Sequence, residues 1–156
     1  MSKITKLYIY TDGAARGNPG EAGAGIYIRD SLKPLLEKSV YLGHTTNNVA
    51  EYMAFILGLK EAEKLGGKTL SLHADSELLV KQIKGAYKVR DKKMKILFDK
   101  AKKHLSTFLQ YEISHIKREE NRDADRLANE AIDLKAGLER QEEATELIKS
   151  LTGDCN

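Results

Sequence analysis

"IYTDGAARGNPGEAGAGI" occupies Ile9–Ile26. An apolar, strand-like run stops at Asp12, and a glycine-rich loop follows it. Glycine-rich loops after strands often cradle phosphates. This one carries a carboxylate at its head and no lysine at the usual place. Working outward, Leu7–Thr11 reads as a strand. Ala22–Asp30 and Leu35–Leu42 read as two more, separated by a turn around Ser31 and Pro34. Three strands with short connections predict an antiparallel meander.

The period then changes. Val49, Tyr52, Met53, Ile56 and Leu59 follow helical spacing up to Leu65, where "LGG" gives a stop signal. Thr69–Ala74 alternates as a short strand, and Ser76 opens a helix ending near Gly85. A basic helix spans Asp91 to Ser106, and Phe108–Ile116 is the last strand. Arg122–Lys135 places Ala124, Leu127, Ala128, Ala131 and Ile132 on one face of a helix. A further helix over Leu138–Leu151 follows Gly137. Helical crossovers lead from strand 3 to strand 4 and from strand 4 to strand 5, which favours parallel pairing. The reading is an α/β fold: a mixed five-stranded sheet with helices on both faces. Residues 1–136 form the domain, and 137–156 form a helical extension docked on it.

A chain of 156 residues suits one domain with one core. No apolar run approaches the roughly 20 residues of a membrane span, so no membrane partner is expected. The N-terminal "MSKITKLYIY" lacks a secretory apolar region. The single cysteine, Cys155, excludes an internal disulfide and a Cys/His metal framework. A reducing, cytoplasmic setting is the expectation. The net charge is only +3, but Lys81–Lys103 carries ten Lys/Arg against Asp91 and Asp99. That local excess suits a polyanion surface or a solvated helix face.

Four carboxylates fall at equivalent structural places. Asp12 ends strand 1 and Asp75 ends strand 4. Glu51 lies in the first turn of the first long helix, and Asp125 in the first turn of the helix after strand 5. Ligand sites of open α/β sheets collect at the carboxyl ends of strands. If strands 1 and 4 are parallel neighbours, Asp12 and Asp75 sit about 4.8 Å apart in the pairing direction. Each acid also has a purely structural reading. Asp75 with Ser76 suits a helix cap, Asn48 and Glu51 have capping-box spacing, and Asp123 is as acidic as Asp125. A joint cluster would raise its own pKa values unless cations neutralise it. Oxygen ligands without His or Cys select Mg²⁺ or Mn²⁺. A metal pair can activate water against a phosphodiester. Asp12 would then hold the metal that holds the phosphate, with Gly13, Gly17 and Gly20 admitting a nucleic-acid backbone.

The stretches "YTDGAARGNPGEAGAG", "TTNNVAEYMA", "LHADSELLV" and "REENRDADRLANEA" resemble those of type 1 ribonuclease H, in the family's order, between Tyr10 and Ala131. The resemblance implies sheet order 3-2-1-4-5 with strand 2 antiparallel. It implies two-metal hydrolysis of the RNA strand of RNA–DNA hybrids, leaving 5′-phosphate and 3′-hydroxyl ends. Mg²⁺ is the implied cofactor, two ions per site, with Mn²⁺ as substitute. Asp12, Glu51, Asp75 and Asp125 are the implied metal-binding catalytic set. Asn18, Thr46, Asn47 and Asn48 match positions that contact the DNA strand. The loop holding Gly13, Ala14 and Arg16 matches the segment facing RNA 2′-hydroxyls.

The chain departs from the family in two places. The loop Lys117–Arg122 has no histidine, and Arg118 is the residue best placed to act there. No basic insertion follows Gly85, which leaves Lys88, Arg90 and Lys92 to grip the hybrid. His73 reads as a tucked or edge residue, and Tyr8, Tyr10 and Tyr27 read as core. A monomer is expected. The competing readings are a hybrid- or RNA-binding protein of the same fold with weak catalysis, and a nuclease of the same fold with another nucleic-acid substrate.

Overall fold

The computed structural model describes residues 5–135. The expected helix over Leu138–Leu151, and its docking, lie outside the described residues. Strands β1 (Lys6–Gly17), β2 (Gly20–Arg29) and β3 (Pro34–Thr45) form the antiparallel meander. Helix α1 (Asn47–Lys64), strand β4 (Thr69–Ala74), helices α2 (Glu77–Ile83) and α3 (Lys92–Leu105), and strand β5 (Gln110–His115) follow. A short 3-10 turn at Arg118–Glu120 leads into a last helix, α4, over 122–135. The sheet order is β3-β2-β1-β4-β5, with β1, β4 and β5 parallel.

The register explains the two faces. Leu7 and Ile9 point with Ile26, Ile28, Leu70 and Leu72 into a cluster completed by Tyr52, Phe55 and Leu59 of α1 and by Ala101 and Leu105 of α3. The opposite parity carries Tyr8, Tyr10, Tyr27 and His73, and over β2 it carries Gly23 and Gly25. The three tyrosines are half-buried on this second face, not in the core. The alternation was read correctly, but the face with the larger helical cover is the one lined by Leu and Ile. Helix α4 covers part of the second face. Ala124, Leu127, Ala128, Ala131 and Ile132 are buried, as the helical stripe predicts.

Strand β1 does not stop at Asp12. It runs on to Gly17, paired with β2 through Gly13↔Ala24, Ala14↔Gly23 and Gly17↔Gly20. Only the parallel pairing with β4 ends there, at Thr11↔Ala74. The stretch that reads as a phosphate loop is therefore a long hairpin, turning at Asn18 and Pro19. Gly17 takes a φ of +105°, which favours glycine. Gly13 and Gly20 serve the protein's own packing. A Cβ on Gly13 would lie 2.1 Å from the Ala50 carbonyl carbon, and one on Gly20 would lie 2.1 Å from the Arg16 oxygen.

The helix starts follow capping chemistry. Thr46 Oγ1 accepts the Val49 N–H at 3.3 Å, Ser76 Oγ accepts from Leu79, and Asp91 accepts from Met94. Because α1 begins at Asn47 and Thr46 caps it, Asn48 and Glu51 form no capping box. Glu51 lies one turn beyond the start, since the first turn of α1 holds no acid.

Candidate active site

Three elements deliver acids to the end of the sheet where β1 and β4 part. Asp12 lies on β1 one residue past its last parallel pair, and Asp75 follows the last residue of β4. Glu51 descends from α1, whose backbone sits directly on Gly13. Carboxylate oxygens of Asp12, Glu51 and Asp75 all lie within 4.8 Å of one another. Asp12 and Glu51 are 5% and 6% exposed, so the charges sit largely out of water.

Asp125 approaches Asp12 from α4. Its Oδ1 is 3.4 Å from Arg118 Nη2 and accepts a hydrogen bond from Asn129 Nδ2 at 3.4 Å. Asp123 is turned elsewhere, 3.6 Å from Arg126. The structure thus separates the two neighbouring acids that the sequence leaves equivalent.

The electrostatics follow from burial and like charge. Asp12 is pushed well above the usual carboxylate range, first by burial, then by the charges of Glu51 and Asp75. Glu51 is raised by burial and by Asp75. The hydrogen bond with Asp12, the Gly13 N–H and the Arg118 charge pull it back. Glu51 Oε2 is buried with no hydrogen-bond partner. An unpaired buried carboxylate oxygen costs several times what a neutral one does, unless a cation meets it. Three converging carboxylates, one with an orphaned oxygen and, among the described residues, no His ring or Cys thiol in the group, fit a hard divalent cation.

The acids line a cleft of about 300 Å³ together with Gly13, Ala14, Arg16, Asn47 and Arg118. Ala15 and Asn129, which sequence reasoning passed over, line it too. Arg16 is tied to α4, with Nη1 2.7 Å from Asp133 Oδ1 and Nη2 donating to Asn129 Oδ1 at 3.3 Å. Asn18 Oδ1 accepts the Asn47 N–H at 3.0 Å, so the hairpin tip braces the start of α1. Thr46 spends its hydroxyl on the α1 cap, and Asn48 is exposed beside it. Lys88, Arg90 and Lys92 are exposed and stand outside the cleft.

His115 Nε2 lies 3.2 Å from the Asp75 carbonyl oxygen. His73 stacks on Tyr10 at 4.5 Å and contacts Ser71 Oγ, and burial lowers its pKa. Neither ring lines the cleft.

A third missed residue is Asn121. It is 1% exposed and reaches both β1 and Asp75. The signal was available: an Asn directly before a helix start is a favoured cap. Its long-range contacts were not readable.

The chain is similar to known proteins in sequence and fold. The family described as "Reverse transcriptase-like" matches residues 10–131. The bifunctional protein Rv2228c of Mycobacterium tuberculosis is 40% identical over 133 residues, covering 84% of this chain and 36% of that protein. Ribonuclease H of Bradyrhizobium diazoefficiens is 33% identical over 157 residues, covering 90% of this chain and 98% of that one. The crystal structure of LC11-RNase H1 in complex with an RNA/DNA hybrid superposes with a TM-score of 0.80 at 43% identity, covering 83% of this chain and 99% of that one. The chain belongs to the type 1 ribonuclease H family. It spans about a third of the length of the mycobacterial relatives it matches.

Proposed function

We propose that this protein is a metal-dependent endonuclease that hydrolyses the RNA strand of RNA–DNA hybrids, leaving 5′-phosphate and 3′-hydroxyl ends. One observation carries the reading. Asp12, Glu51 and Asp75 bring carboxylate oxygens within 4.8 Å of one another at the floor of an open cleft. A protein that only bound nucleic acid would gain nothing by aiming buried acids at a polyanion. The likeness to ribonucleases H, one of them solved with a hybrid, supports the substrate class.

Asp12, Glu51, Asp75 and Asp125 would hold Mg²⁺, two ions per site, with Mn²⁺ able to substitute. When bound, such ions lower the pKa of the attacking water and neutralise charge on the phosphodiester. The chain's own groups do the rest. Asp12 and Glu51, raised by burial and mutual repulsion, give up any proton they hold as the site fills. The 77%-exposed Arg118 side chain, beside Asp125, is free to swing onto the scissile phosphate or the leaving end. Gly13, Ala14 and Arg16 lie along the cleft wall, where the sugar edge of the cut strand passes and 2′-hydroxyls can be read. Asn18, Thr46, Asn47 and Asn48 form one braced corner for the DNA strand. Lys88, Arg90 and Lys92 add salt-sensitive backbone contacts beyond the cleft. We propose a reducing, cytoplasmic setting, which a lone cysteine, Cys155, suits, and a monomer whose state a sedimentation measurement would check.

The test is direct. Hybrid, RNA duplex and DNA duplex, each labelled on one strand, are incubated with Mg²⁺, with Mn²⁺ and with chelator. Metal-dependent cutting confined to the RNA of the hybrid is expected. Hybrid binding without strand cleavage in either metal would overturn the catalytic reading, and equal cutting of all three duplexes would overturn the substrate.

A further inference from the structure

Asn121 is the most buried polar side chain at the site, and none of the roles above uses it. Its Nδ2 donates to the Thr11 carbonyl oxygen at 3.0 Å and to Asp75 Oδ2 at 3.3 Å. Its own carbonyl oxygen accepts the Asp125 N–H at 3.0 Å. One residue therefore touches the last paired residue of β1, the acid after β4, and the acid on α4. The amide orientation is chemically forced. Both neighbours of Nδ2 are acceptors, and a carbonyl oxygen in its place would face two others. Each of the two amide hydrogens has its own acceptor.

The arrangement has a cost. Asn121 Oδ1 is buried without a partner. Such a group is destabilising by about 1–3 kcal/mol. The contact is thus poorly explained by stability alone. Asp75 needs what it supplies. Asp75 lies beyond the β4 ladder, which ends at Ala74, so no strand pairing sets its side chain. The Asn121 amide holds one of its carboxylate oxygens, Oδ2.

We propose that Asn121 is a positioning residue. By donating to the Thr11 carbonyl, where β1 and β4 part, and to Asp75, it locks the Asp75 carboxylate in the orientation that binds a divalent cation. Amide or carboxylate partners behind metal ligands commonly change affinity 10–100-fold when removed. The inference rests on reading the acid cluster as a cation site.

The test measures Mn²⁺ affinity calorimetrically on the full chain, without nucleic acid, at a temperature where every protein is folded by circular dichroism. Asn121→Ala and Asn121→Ser are compared with wild type and with Ile26→Ala. The last is a core truncation on the opposite face that lowers stability without touching the site. The expected result is a loss of Mn²⁺ affinity of about tenfold or more in the Asn121 variants and none in Ile26→Ala. Serine keeps a single donor hydrogen and should fall between alanine and wild type; it also serves should the alanine variant fail to fold. Wild-type affinity in a folded Asn121 variant overturns the inference, as does an equal loss in Ile26→Ala. Failure of the wild type itself to bind Mn²⁺ overturns the cation site instead.

Discussion

On one face of the sheet, Ile9, Ile26 and Leu70 meet α1 and α3 through whole aliphatic side chains. On the other, α4 lies on Gly23 and Gly25 with almost nothing between the backbones. A Cβ on Gly25 would come 1.9 Å from the Ala124 carbonyl oxygen, and one on Gly23 would come 2.3 Å from that of Ala128. The first contact is a core, and side chains there can repack when one of them shrinks. In the second, the nearest neighbours at Gly23 and Gly25 are backbone atoms of α4, which cannot repack as a side chain can. This contact carries Asn121 and Asp125 at the head of α4, so the helix that brings a fourth acid to the candidate site is seated on a backbone contact. Ser39 Oγ, donating to the Leu127 carbonyl at 2.7 Å, pins it further. The seat of Asp125 is thus set on the α4 face, while Glu51 comes to the cluster from α1 on the core face.

The largest effect tests the site that this seating serves. Asp12→Asn should lower hybrid cleavage by about three orders of magnitude or more. It should also raise the melting temperature measured in chelator, because a buried repulsion disappears. Retained turnover would end the metal-ion proposal. Next, Gly25→Val should cost about 3 kcal/mol by overpacking and lower turnover by about 100-fold, since α4 must move off β2. Normal turnover in the folded variant would show that Asp125 does not need this seat. Its counterpart on the other face is Ile26→Ala, expected to cost about 2–4 kcal/mol in denaturant titration while turnover at 25 °C stays within about twofold. A proportionate loss of both would abolish the division between the faces.

Smaller is Arg118→Ala, for which a drop of about tenfold in turnover is expected, with little change in melting temperature, because an exposed ion pair stabilises little. The smallest effect is on pH dependence. The folded-state pKa values of Asp12 and Glu51 are raised above their unfolded ones. Their contribution to stability is therefore full below the ordinary carboxylate range and is lost as pH rises through the raised values. In chelator, the stability difference between Asp12→Asn and wild type should widen with rising pH above about 4, and saturating Mg²⁺ should flatten it. A difference that narrows with pH would contradict the burial-driven shift.

Much of this was readable from side-chain periodicity. Thr69–Ala74, the helix starts near Ser76 and Asp91, and the α4 stripe of Ala124, Leu127, Ala128, Ala131 and Ile132 lie where local pattern places them, although the cap before α2 is Ser76 and not Asp75. So does the gathering of Asp12 and Asp75 at parallel neighbours. Other features depend on partners distant in the chain. The run from Gly13 to Gly17 looks like a loop because its residues are small and lack a strand's apolar alternation. It is a strand because β2 supplies the ladder and α1 requires the absence of a side chain at Gly13. Tyr8, Tyr10 and Tyr27 alternate correctly, yet which parity receives the larger cover depends on where α1 lands. Asp123 and Asp125 part because the fold brings Asp125 up to Asp12 on β1, while Asp123 pairs with Arg126 of its own helix.

By itself, then, the order of residues determined the succession of strands and helices, the apolar stripe of each, and the placing of Asp75 just past β4 and of Asp125 near the start of α4. These are local matters of period, capping and charge. The tertiary structure alone decided how far β1 runs, which glycines are contacts between backbones, and that Asn121 stands behind Asp75. Each of those depends on atoms far apart in the chain meeting at a few ångströms, and no local period records such a meeting.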